Sequence, residues 1–172
     1  MIKLNKVRLS FPSLFQKSSF NGVEGKYEAT FIINKDDPSA AEIKNAIKDI
    51  LKEKKAKLSA DKICLKDGDE VGYEGYENSY SIKASSNKRV PLFDRDKSII
   101  TEEDEKLYAG CYVNAVIGLW YQDNNYGKRI NANLIGVQFC EHGEAFGSNI
   151  DATSLFDDLE NSSDDKVENL FD

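Results

Sequence analysis

The stretch "CYVNAVIGLWYQDNNYGKRINANLIGVQFC", residues 111–140, restricts the fold more than any other part of the chain. In its first half Cys111, Val113, Ala115, Ile117, Leu119 and Tyr121 form one apolar row, while Tyr112, Asn114, Val116, Gly118 and Trp120 between them mix aromatic, polar and small residues. A period of two of this kind is a β-strand with one face buried. "QDNNYG" then supplies the Asn, Asp and Gly that a hairpin turn requires. In the returning half the apolar parity runs Ile130, Ala132, Leu134 and switches to Ile135, Val137, Phe139. The second strand therefore needs a bulge or sharp coil near Gly136. A long hairpin that changes face curls, and a sheet that curls closes into a small barrel.

The other segments agree with that shape. "KYEATFIIN" alternates, with Tyr27, Ala29, Phe31 and Ile33 apolar and Lys26, Glu28 and Thr30 polar. "SYSIKAS" does the same, with Tyr80, Ile82 and Ala84 opposite Ser81, Lys83 and Ser85. One helix is expected in "DDPSAAEIKNAIKDILKEKKAKL", where a Pro-Ser start precedes an apolar face of Ile43, Ile47, Ile50 and Leu51. A short second helix is expected in "ITEEDEKLY", capped by Thr101. Several strands, one clear helix, no βαβ alternation and no internal repeat predict a mainly β (α+β) fold built on a small antiparallel barrel.

Charge divides the chain in two. From Ser148 onward eight acids (Asp151, Asp157, Asp158, Glu160, Asp164, Asp165, Glu168, Asp172) face a single base, Lys166, which accounts for the whole net charge of −7. Residues 1–147 are formally neutral and long enough for one domain with a hydrophobic core. The expected organisation is a binding domain over 1–147 and an acidic tail over 148–172, disordered in the free protein by its composition. No apolar run is long enough to cross a bilayer, so no membrane partner and a cytoplasmic location are expected. Three cysteines (Cys64, Cys111, Cys140) without CxxC spacing, and a lone His142, predict neither a disulfide framework nor a zinc site.

Candidate chemistry concentrates where aromatic and basic residues interleave. Tyr112 and Trp120 share the outward row of the first hairpin strand, and the hairpin tip places Tyr121 and Tyr126 beside Lys128 and Arg129. "KASSNKRVPLFDRDK" sets Lys83, Lys88 and Arg89 around Phe93. Rings that take bases and cations that track phosphates suit a single nucleic-acid strand, although Tyr and Trp on an outward face also suit a protein interface. Catalytic patterns are weak: Asp67, Asp69 and Glu70 in "KDGDE" lack the length and ligand order of an EF-hand, and no phosphate-binding glycine loop occurs. A binder without cofactor is expected.

Taken together, "VRLSFPSLFQ", "GKYEATFIINK", "SIKASSNKRVPLFD" and the hairpin through "CEHGEAFG" resemble a family of bacteriophage single-stranded-DNA-binding proteins, from about Val7 to Gly147. The resemblance implies an OB-type barrel that coats single-stranded DNA in replication and recombination, forms a homodimer, and carries an acidic tail, in the cytoplasm of the host cell; whether duplex DNA is a weaker partner stays open. It places Lys83, the "NKRVP" segment and the aromatic hairpin at the DNA groove. The tail intersperses its acids with Phe156, Leu170 and Phe171, so it imitates phosphates and bases; it is expected to compete for the groove and to dock on phage or host replication and recombination proteins. The neutral body keeps one alternative open, a DNA-mimic or adaptor that binds a protein instead.

Overall fold

The fold is a closed barrel assembled around its own first strand. The computed structural model describes residues 1–146; the tail proposed from the sequence, including Phe156, Leu170 and Phe171, lies outside the described residues. In chain order the elements are β1 (Ile2–Ser13), β2 (Ser19–Phe20), β3 (Val23–Glu24), β4 (Tyr27–Asn34), α1 (Pro38–Lys54), β5 (Leu65–Asp67), α2 (Gly68–Val71), β6 (Ser79–Ser86), β7 (Leu92–Phe93), β8 (Tyr112–Asn124) and β9 (Gly127–Glu141). β1 pairs antiparallel with β4 on one side and β8 on the other; β4 continues to β6 and β8 to β9. β6 and β9 then meet in parallel at Ala84↔Ala132 and Ser85↔Asn133, which closes five strands into a barrel. A meander of three strands, a hairpin and one parallel closure is the arrangement of an OB-type fold.

Bulges supply the curvature. Leu4 and Val7 of β1 oppose Ala115 and Val113, so β1 carries one extra residue there, and Lys6 takes φ +48. A second bulge follows, where Ser10 and Ser13 oppose Thr30 and Glu28 and Phe11 takes φ +44. In β9, Gly136 and Leu134 oppose Val116 and Ile117, leaving Ile135 as the extra residue beside Gly136, where the parity switch requires it. Each extra residue bends its strand and increases its twist. The interior is filled by Leu4, Leu9, Phe31, Ile33, Ile82, Val113, Ile117, Ile130 and Val137, all nearly or fully buried.

Helix α1 forms where the sequence expects it. Asp37 accepts from Ser39 N at 2.9 Å as N-cap, Pro38 opens the first turn, and Lys55 ends the helix in the left-handed conformation. Ile43 and Ile47 are buried on the face that packs against β1, β4 and β8. The acids of "ITEEDEKLY" form only a single 3₁₀ turn, Glu102–Asp104, because Glu105 turns left-handed at φ +53 and stops it.

The "KDGDE" acids are held by one lysine. Asp67 caps the short helix α2, and the Lys35 ammonium lies 2.9 Å from Asp67 and 2.8 Å from Asp69. Hydrogen bonding to Lys35 holds both carboxyls below the usual carboxylate range and raises the Lys35 ammonium. Carboxyl groups whose folded pKa is depressed contribute stability above their unfolded pKa and lose it as pH falls through the folded value. Lys35→Met should therefore flatten the fall in stability between about pH 5 and pH 2. Urea midpoints at pH 6 and pH 3 measure it; an unchanged difference between the two would show that the cluster does not shape acid sensitivity.

Candidate nucleic-acid interface

β4 and β6 carry polar rows on their outward faces, and their register merges the rows into one floor. Thr30 lies opposite Lys83 and Glu28 opposite Ser85. Across the parallel seam Asn131 precedes Ala132 as Lys83 precedes Ala84, and Asn131 pairs with Trp120 of β8. A cation, an amide and an indole therefore form a row across three strands, all on the outside of the barrel. Gln122 Oε1 accepts from Asn131 Nδ2 at 2.7 Å, which fixes the amide in the middle.

Around this row runs a groove of about 540 Å³, walled by the β5–α2 segment on one side and by the β8–β9 hairpin on the other. Five cations line it (Lys26, Lys62, Lys66, Lys83, Arg129) against two acids, Glu28 and Asp61. The body is neutral as a whole, yet this face is positive. Lys83 rests 3.3 Å from Glu28 with its side chain 62 % exposed, an ion pair weak enough to exchange for a phosphate. Arg129 donates to the Asp61 carbonyl at 3.5 Å, which draws it toward the groove wall. Trp120 is 43 % exposed, and Tyr73 and Tyr76 close the far end. Cys64 also lines the groove, where burial pushes its thiol up to about 11, so it is a neutral wall residue and not a nucleophile.

The expected site residues divide into two groups. Lys83, Trp120 and Arg129 come together in the groove. Tyr126, 88 % exposed at the hairpin tip, and Lys128, paired in register with Asp123, extend from its edge. Arg89 follows the end of β6 outside the groove, 5.8 Å from the Tyr27 ring, and lines a separate depression with Pro91 and Ile99; Lys88 precedes it. The rest are elsewhere. Phe93 sits in β7 on the outer side of β9, facing a separate apolar depression with Lys3, Val116 and Gly136. Tyr112 is at the opposite end of β8 beside Arg8. Tyr121 has inward parity and packs on the core.

Lys26, Lys62, Lys66 and Tyr73 were not among the expected residues. Lys26 belongs to the polar row of "KYEATFIIN", so a pairing of the two alternating segments would have found it. Lys62, Lys66 and Tyr73 lie between α1 and β6, on a 3₁₀ turn, on the three-residue strand β5 and just after α2, elements too short for a periodicity to point to a face. Among the described residues no group of His, Cys, Asp and Glu could hold a metal ion, and no helix is long and apolar enough to cross a membrane.

Comparison with known proteins finds likeness in sequence and in fold. A family model described as Enterobacter phage Enc34, ssDNA-binding protein, matches residues 1–167. The chain is 38 % identical over 180 residues to "Putative protein p50" of Acyrthosiphon pisum secondary endosymbiont phage 1, covering 96 % of this chain and 97 % of the relative. The single-stranded DNA-binding protein of bacteriophage Enc34 in complex with ssDNA superposes with a TM-score of 0.73 at 33 % identity, over 84 % of this chain and 88 % of that one. The single-stranded DNA binding protein gp2.5 of bacteriophage T7 shares the fold, with a TM-score of 0.62 at 11 % identity, over 87 % and 96 % of the two chains.

Proposed function

Because the chain belongs to the Enterobacter phage Enc34 ssDNA-binding protein family, we propose that it binds single-stranded DNA in the β4–β6 groove without sequence preference. Bases stack on Trp120, and Lys83, Arg129 and the three neighbouring lysines neutralise phosphates. The observation that carries this reading is the Lys83–Asn131–Trp120 row, which sets a cation and a ring on either side of an amide on the OB face that takes oligonucleotides. Every base has a π-face, so stacking holds a strand whatever its sequence. The protein coats the strand in phage replication and recombination, needs no cofactor, turns nothing over and acts as a homodimer in the cytoplasm of the host.

The acidic segment 148–172 completes the proposal. Its acids compete with phosphates for the five groove cations, which raises the threshold for weak or duplex binding. Once DNA displaces it, Phe156, Leu170 and Phe171 dock on replication or recombination proteins.

Fluorescence titration of Trp120, the only tryptophan, with oligo-dT and matched duplex tests both parts. Single strands quench it, and with all five cations engaged the log–log salt slope is about −3.5, at roughly −0.7 per phosphate. The full chain carrying Asp157→Asn, Asp158→Asn, Asp164→Asn and Asp165→Asn binds more tightly at low salt. A flat salt response would refute groove binding. Unchanged affinity in the four-site variant would refute competition by the tail.

A further inference from the structure

The second bulge of β1 puts an aromatic where few residues would choose to sit. Phe11 occupies the left-handed region at φ +44 and is 60 % exposed. For a bulky side chain that conformation costs on the order of 1–3 kcal/mol, and such strain clusters at ligand sites. Its ring meets Tyr73 edge to face at 5.5 Å, Tyr73 itself 53 % exposed. Two large rings standing in solvent at one end of a positive groove are placed for a ligand and not for the core.

What lies behind them holds them still. Tyr73 meets Tyr76 at 5.4 Å, and the Tyr76 hydroxyl donates to Ser10 Oγ at 2.6 Å, one residue before Phe11. Tyr76 in turn contacts Phe146 at 6.4 Å. The Phe146 ring is seated against Gly75, where a Cβ would fall 2.3 Å from the ring and φ is +87, so only glycine leaves it room. From the other side the Arg8 guanidinium lies 3.9 Å from the Phe146 centroid, and Arg8 donates to the carbonyls of Gly110 at 3.2 Å and Glu144 at 2.5 Å. Arg8 is thereby committed to the protein's own backbone and ring.

We propose that Phe11 and Tyr73 form a second base-stacking subsite for single-stranded DNA, beyond the end of the groove that holds Trp120, with Arg8 and Phe146 as its positioning residues. This rests on the reading of the groove as the DNA site and extends the strand's path past Tyr73 across the β1 bulge. The ligand is a nucleobase of any identity, because the pair offers π surface with no amide or carboxylate between the rings to select an edge.

The test is affinity of the full chain for an oligo-dT length series, with Trp120 quenching as the reporter. Phe11→Asn is the informative variant: asparagine accepts positive φ, so the bulge keeps its backbone while the ring is lost. Phe11→Asn should bind the shortest oligomers that quench Trp120 as the parent does, and lose roughly 5- to 150-fold on longer ones that reach the bulge. Phe11→Tyr should restore the longer oligomers. Phe146→Leu should produce a smaller, length-dependent loss without changing the salt slope, since Phe146 touches no phosphate. Equal affinity of Phe11→Asn and parent at every length overturns the subsite, and so does a loss that is the same at every length. If the parent itself binds no oligo-dT, the reading of the groove fails instead.

Discussion

The double substitution Trp120→Ala, Lys83→Glu lowers affinity for oligo-dT by about 10²- to 10⁴-fold at low salt. One stacked base contributes roughly 1–3 kcal/mol. A charge-assisted contact to phosphate contributes about 1.5–3 kcal/mol, and at position 83 it is replaced by repulsion. The two side chains sit in one cross-strand row, so a single nucleotide can use both. Fold stability should hardly move, because Trp120 is 43 % exposed and the Lys83 side chain 62 % exposed. Fluorescence anisotropy of a labelled oligonucleotide gives the affinity and thermal melting gives the control. A loss of less than about fivefold, below the smallest stacking contribution, would place the strand on another face of the barrel.

Phe31→Ala is expected to have the opposite profile, a large cost in stability of about 3–5 kcal/mol. Phe31 has no exposed surface and pairs with Leu9 on one side and Ile82 on the other, at the centre of the three-strand meander. Truncation leaves a void walled by strands that bulges have already bent into place and that cannot collapse inward. In melting experiments this corresponds to a drop of roughly 10–15 °C for a domain of this size. Ile99→Ala, at a position 78 % exposed, is the matched control and should stay within about 0.5 kcal/mol. If Phe31→Ala melted within a few degrees of the parent, the barrel interior would be less tightly packed than its burial indicates.

The parts of the fold legible in the sequence are those where one periodicity runs unbroken. β6, β8 and α1 each keep a single period through nearly their whole length, β4 keeps one as far as Phe31 before Ile32 breaks it, and the β9 bulge shows as a clean change of parity. β1 is hidden for the same reason reversed. Its buried residues run Ile2, Leu4, then Val7, Leu9, and the extra residue at Lys6 erases the alternation that would have marked it. Helix α2 is hidden because a glycine-rich segment reads as turns, and its start is set by Asp67 capping and by Lys35 reaching from across the chain. In the site, parity correctly placed Trp120 outside the core but could not separate it from Tyr112. Both occupy the same row, yet eight residues at about 3.3 Å per residue put them some 26 Å apart along a bent strand. Only closure of the barrel decides which end of that row meets Lys83.

The central position of β1 also sets the order in which the protein can be made. β1, made before the other strands of the barrel, pairs with β8 through Ile2↔Ile117 and Leu4↔Ala115, so it waits for more than a hundred residues of translation before its second neighbour exists. At about 5–20 residues per second that wait is of the order of 5–20 s. The seam between β6 and β9, which joins Lys83 to Asn131 and Trp120, can form only after β9 has emerged. A partly made chain therefore holds the β1–β4–β6 meander without the face that carries the ring-and-cation row. On the proposed reading, nascent chains have no finished groove with which to capture a strand, and capture begins with the complete barrel.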